Sequence, residues 1–148
     1  MKHMTFIVTI IVFLHTAMLS VPVSAEEYTC TIKNTLKINL NGNFVKHGWA
    51  ANYMNRQFTV DSESGQVLRT TALKQRLSNS DNNHKPVLLS AGKPDMPMII
   101  FTHYGETGRY ALLQIHDSNE FSNSERKPFF YHTDVGMILT GTCILQGQ

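Results

Sequence analysis

Two segments near the ends of the chain decide the fold: YTCTI at residues 28–32 and MILTGTCIL at residues 137–145. Apolar and polar residues alternate in both, which is typical of a half-buried β-strand. Cys30 and Cys143 lie on the apolar side of this alternation, so both are predicted to face the core. A disulfide needs Cα atoms within about 7 Å of each other. The pattern therefore predicts that the first and last strands are neighbours joined by a Cys30–Cys143 bridge, which would close the sheet.

The alternation of the first segment continues beyond Asn34, where Leu36, Ile38 and Leu40 keep the same phase. We therefore expect these three side chains on the same half-buried face as Cys30.

Other strand-like runs are separated by turn formers. Hairpins are predicted at residues 56–70, around a turn at 61–65, and at residues 98–116, around a turn at 105–108. Residues 72–77 fit one or two helical turns or, equally, a strand. We expect a mainly β fold, a small antiparallel barrel or sandwich of about seven or eight strands. It is closed by one disulfide and has at most one short helix.

The first 25 residues have the layout of a cleavable signal peptide. Lys2 precedes an apolar run, and Val23-Ser24-Ala25 fits a cleavage site. The alternative is an uncleaved anchor helix, but Pro22 breaks the run before it reaches the roughly 20 residues of a membrane span. We expect residues 26–148 to form a single β domain, periplasmic or secreted, with no membrane span after cleavage.

Charge and motifs exclude several functions. The 123 residues after the predicted signal carry 12 basic and 11 acidic side chains without a basic run, so no nucleic-acid partner is expected. The sequence contains no Gly-x-Ser-x-Gly, phosphate-binding loop, His-Glu-x-x-His or Cys-x-x-Cys motif. We expect neither catalysis nor a cofactor.

One alternative is a periplasmic Cu(I) or other metal site made from Met96, Met98, His47, Trp49 and His103. Thioether and imidazole groups suit Cu(I). The arrangement is similar to periplasmic copper-binding barrels that use two Met, one His and a Trp. The competing interpretation is that the two methionines fill gaps in the core.

A second alternative comes from Thr107-Gly108-Arg109-Tyr110, which resembles the Ser-Gly-rich loop of the periplasmic inhibitors of C-type lysozyme. These inhibitors are small barrels with a cysteine near each end. Lysozymes are strongly cationic, so an inhibitor gains association rate from an acidic surface, which a near-neutral chain does not offer.

A wider resemblance spans most of the chain after residue 25. The motifs of this segment resemble those of small exported bacterial proteins of unassigned function. The resemblance implies the same disulfide bridge and the same fold, and it implies no activity. The motifs are Tyr28-Thr29-Cys30, Phe58-Thr59-Val60-Asp61 with Gly65, Lys127-Pro128-Phe129-Phe130-Tyr131, and Gly141-Thr142-Cys143. The function best supported by the sequence is a non-catalytic binding protein of the cell envelope, whose partner is a protein or another envelope component.

Overall fold

The computed structural model describes residues 26–70, 86–93, 96–104, 108–117 and 124–146. The predicted signal peptide and the helical turns or strand predicted at residues 72–77 lie outside these ranges.

Within them, the chain forms nine strands and one four-residue helix, α1. Among the described residues, no helix has the length and hydropathy needed to cross a bilayer. The elements are β1 (Glu27–Ile38), β2 (Phe44–Lys46), α1 (Ala50–Tyr53), β3 (Gln57–Asp61), β4 (Val67–Thr70), β5 (Pro86–Lys93), β6 (Met96–Tyr104), β7 (Arg109–Ile115), β8 (Lys127–Thr133) and β9 (Ile138–Gln146).

The strands form one antiparallel sheet in the order β4-β3-β1-β9-β8-β7-β6-β5, with β2 attached to β1. The sheet curls into a half-barrel. Pairing of the terminal strands is confirmed, and the β1–β9 pair lies in the middle of the strand order, whereas β4 and β5 are its edges. Both hairpins predicted from turn formers are confirmed as the pairs β3–β4 and β6–β7.

The concave face of the half-barrel holds the core. Cys30 and Cys143 are fully buried there and form the disulfide. The turn before β4 approaches β6 across the core, because a Cβ placed on Gly65 would lie 3.1 Å from a side-chain carbon of Ile100. Gly65 has a φ of 71°, a conformation that L side chains rarely adopt. A larger residue there would meet both strain and crowding.

A one-residue bulge in β1 changes which side chains face the core. Ile32 pairs with Gly141 but Asn34 pairs with Thr140, so Lys33 is an extra residue. Beyond it the phase is reversed, since a slip of one residue sends every later side chain to the other face. Thr35, 1 % exposed, therefore takes the core position opposite Leu139.

The prediction of a half-buried face is wrong for Ile38 and Leu40, whereas Leu36 is half-buried. Ile38 is 57 % exposed and Leu40 is fully exposed, at 106 %. The bulge turns Ile38 onto the outer face, whereas Leu40 lies beyond the end of β1, in the turn between β1 and β2.

Candidate functional site

The hairpin made by β1 and β2 extends beyond the body of the sheet. Pairing between β1 and β9 ends at Leu36 and Ile138, whereas β1 and β2 remain paired as far as Ile38 and Phe44. The residues between this last pair form a turn that has no neighbouring strand.

Three large apolar side chains are exposed on this hairpin, around a turn whose other residues are Asn39, Asn41, Gly42 and Asn43. Ile38 is 57 %, Leu40 106 % and Phe44 62 % exposed, and we call these three residues the apolar tip. Large apolar side chains gathered on a protrusion are a mark of a surface that contacts a partner.

The turn within the apolar tip satisfies its own hydrogen bonds. The carboxamide oxygen of Asn39 accepts from the backbone N–H groups of Asn41 (3.0 Å) and Asn43 (2.9 Å). The Asn39 N–H donates to the Asn43 carbonyl, and the Gly42 N–H donates to the Asn39 carbonyl. Such Asn-centred turns are compact and fix the backbone locally. The tip is therefore a defined structure.

Trp49 lies near the base of the hairpin and is 43 % exposed. Its backbone N–H donates to Nδ1 of His47 at 3.0 Å, and the two rings are 5.2 Å apart. The His47 N–H in turn donates to the carbonyl oxygen of Thr35 in β1, which fixes this pair against the hairpin.

Charge is distributed unevenly along the strands. Residues 28–60 contain no acidic side chain, and their basic residues, Lys33, Lys37, Lys46 and Arg56, are all exposed. At the hairpin end of the described part, Asp134 is the single acidic residue, and it forms an ion pair with Arg109 at 3.0 Å. The remaining described acidic residues lie near the start of β1: Glu26, Glu27, Asp61, Glu63, Asp117 and Glu125.

The five residues predicted as metal ligands do not converge. Met98 is 1 % exposed in the core, and Met96 is 50 % exposed at the start of β6. His103 lies on the opposite face of β6 from Met98 and about 23 Å along the strand from Met96. The rings of His47 and Trp49 are in contact, 5.2 Å apart. Among the described residues, no three His, Cys, Asp or Glu side chains are grouped as a metal site.

A polar cluster closes the end of the half-barrel where β1 begins. The Tyr28 hydroxyl donates to Oδ2 of Asp117 at 2.8 Å, and Nζ of Lys127 lies 2.6 Å from Oδ1. The side chain of Lys127 is only 8 % exposed. Burial and the neighbouring Asp117 carboxylate raise the pKa of the Tyr28 phenol well above its usual value. The cluster ties the end of β7 to β1 and β8.

At the other end of the core, Tyr104 and Tyr131 share a hydrogen bond of 3.4 Å between their hydroxyl groups. Burial, and then the neighbouring Tyr104, raise the pKa of Tyr131 well above its usual value. Together with Thr102 these side chains line a cavity of about 10 Å³. That volume suits one water molecule and is far below the several hundred Å³ of a small-molecule site.

The outer face of the sheet carries a row of half-buried rings across β6, β7 and β8. Phe101 stacks on Tyr110 at 6.0 Å, Tyr110 lies 5.9 Å from His132, and His132 stacks on Phe130 at 6.4 Å. The outer positions of β1 and β9 are instead rich in threonine. The row was not predicted, although the alternation in β6 and β7 places these residues opposite the core side chains.

The chain matches no protein-family model, no curated protein and no solved structure.

Proposed function

We propose that this chain is an exported, disulfide-bonded β domain that binds a component of the cell envelope without transforming it, and that the apolar tip makes the contact. The observation that carries the proposal is the exposure of Ile38, Leu40 and Phe44 on a protruding, internally bonded hairpin. These side chains add nothing to the core, so their exposure has no structural benefit within the described chain.

Export is supported by the sequence of the first 25 residues and by the bridge, because disulfides persist mainly in oxidising compartments. The resemblance to small exported bacterial proteins supports the same location, in the periplasm or outside the cell. Neither observation names the partner.

The two alternatives have less support. Copper binding would have to use Met98, whose sulfur is enclosed in the core, or ligands that lie on different faces of β6. A lysozyme inhibitor would have to approach a cationic enzyme. The exposed lysines of the hairpin would repel it.

The test is retention by separated envelope fractions. Tagged protein, expressed from the full sequence, is incubated with periplasmic proteins, membranes and peptidoglycan in separate samples. We expect retention in one fraction, reduced about tenfold or more in Leu40→Ser/Phe44→Ser, because two apolar contacts are lost.

A matched control replaces two exposed apolar side chains that lie outside the hairpin. Val87 and Leu89 in the edge strand β5 are 51 % and 60 % exposed. Val87→Ser/Leu89→Ser should leave retention unchanged. Equal retention of the parent protein and both variants, or no retention in any fraction, would overturn the proposal.

A further inference from the structure

We propose that the apolar tip inserts into the surface of an anionic lipid bilayer, so that the protein is a peripheral membrane protein. This inference rests on the proposed function and specifies the partner of the same site.

The shape of the tip favours a lipid over a folded protein. The fully exposed Leu40 lies at the apex, and Ile38 and Phe44 form the pair directly behind it. Such a narrow protrusion offers little area for the shape complementarity of a protein interface. A fluid lipid phase requires no matching shape, and amphipathic elements bind it by immersing apolar side chains about 5–10 Å deep.

Several backbone donors of the tip are already hydrogen-bonded within the turn. A polar group that enters the hydrocarbon boundary without a hydrogen bond carries a large penalty. Four N–H groups of the turn already donate within it, those of Asn39, Asn41, Gly42 and Asn43. Insertion would therefore not deprive these four donors of their partners.

Charges are placed where lipid headgroups would be. Lys37 pairs with Val45, and Lys46 pairs with Leu36, one and two residue pairs behind Ile38–Phe44. At a rise of about 3.4 Å per residue, the Cα atoms of these lysines lie roughly 3–7 Å behind the apolar pair. Each lysine near an anionic surface strengthens binding about fivefold. The acidic residues at the opposite end would orient the molecule with its hairpin towards the bilayer.

The chain contains a built-in reporter of this contact. Trp49 is its only tryptophan and lies near the base of the hairpin. Tryptophan favours the membrane–water boundary, where its ring is buried and its N–H stays near polar groups. Transfer of Trp49 from water to this boundary shifts its fluorescence emission to shorter wavelength.

The experiment titrates the protein with vesicles of phosphatidylcholine and phosphatidylglycerol in equal parts and, separately, of phosphatidylcholine alone. Trp49 emission and co-sedimentation are both recorded. We expect a shift and sedimentation with the anionic vesicles, weakened by added salt and absent with the neutral ones. Leu40→Ser/Phe44→Ser should lower the affinity about tenfold or more, and Lys37→Gln/Lys46→Gln roughly 25-fold.

Val87→Ser/Leu89→Ser is the control and should bind as the parent does. Unchanged melting temperatures would show that the tip variants are folded, as expected for side chains that are exposed. Equal binding of the parent and Leu40→Ser/Phe44→Ser, or no binding to anionic vesicles, would overturn the lipid proposal.

The retention experiment distinguishes a wrong lipid partner from a wrong binding function. Tip-dependent retention by peptidoglycan or by a periplasmic protein, without binding to vesicles, contradicts the lipid partner and leaves the binding function standing. Absence of tip dependence in both experiments contradicts both.

Discussion

Cys30 lies directly opposite Cys143 in the β1–β9 ladder, with the two Cα atoms 3.9 Å apart. Both residues are fully buried, and the bridge spans a sequence separation of 113 residues. It connects the chain ends in the middle of the sheet. The strands on either side, towards β4 and towards β5, therefore depend on this central pair for their relative position.

Removal of the bridge should strongly destabilise the protein. Cys30→Ala/Cys143→Ala is expected to lower the free energy of unfolding by about 4 kcal/mol, because the unfolded chain regains the freedom that a long closed loop removes. Urea denaturation of the variant and of the oxidised parent measures the difference. A loss below about 1 kcal/mol would show that the core alone maintains the fold.

Gly141 in β9 is expected to tolerate no side chain. A Cβ there would collide with the carbonyl oxygen of Thr31 in β1 and lie 2.8 Å from the ring of Phe129 in β8. Gly141→Ala should lower the free energy of unfolding by about 3 kcal/mol, because a backbone atom must move. Gly48, where a Cβ would have nothing within 4 Å, is the control. Similar melting temperatures for Gly141→Ala and Gly48→Ala would contradict this explanation.

Replacement of Asp117 should destabilise the protein more than replacement of its ion-pair partner Lys127. Asp117→Asn removes the carboxylate that lies 2.6 Å from a nearly buried ammonium group, and we expect a loss of about 2–3 kcal/mol. Lys127→Met removes the charge and keeps the apolar stem, so it should change the free energy of unfolding by less than about 1 kcal/mol. Equilibrium unfolding of the two variants at neutral pH measures both losses of unfolding free energy. A larger loss in Lys127→Met than in Asp117→Asn would contradict the prediction.

Alkaline pH should destabilise the protein through its buried tyrosines. The pKa values of Tyr28 and Tyr131 are raised in the folded state, whereas an unfolded tyrosine ionises near pH 10. Their contribution to stability is therefore complete below about pH 10 and is lost as the pH rises towards the folded-state pKa values. Urea denaturation from pH 8 to 11 should show this loss, and a smaller one in Tyr131→Phe. Equal stability at both ends of the range would contradict it.

Much of the fold could be predicted because it follows from local patterns. Alternation placed Cys30 and Cys143 on core faces, and turn formers located the β3–β4 and β6–β7 hairpins. These features depend on residues close together in the sequence or on a covalent constraint. They therefore leave a clear signal in a single chain.

The exposure of the candidate site could not be predicted, because it depends on where the pairing of β1 with β9 ends and on one inserted residue. The apolar alternation of β1 continues past the bulge at Lys33, but the side chains after the bulge point to the opposite face of the sheet. Thr35 is therefore buried and Ile38 is exposed. The predicted metal ligands of β6 are separated for a different reason. Residues 96–104 form one continuous strand, which keeps Met96 and His103 at opposite ends.

We propose that the protein contacts its partner through the tip of the β1–β2 hairpin. The most direct measurement replaces Leu40 with a photo-reactive amino acid in living cells and, in a parallel strain, replaces Leu89 in β5. Both positions are exposed and apolar. We predict irradiation-dependent adducts with lipid or another envelope component from position 40 and none from position 89. Adducts from position 89 alone, or equal adducts from both positions, would contradict the account.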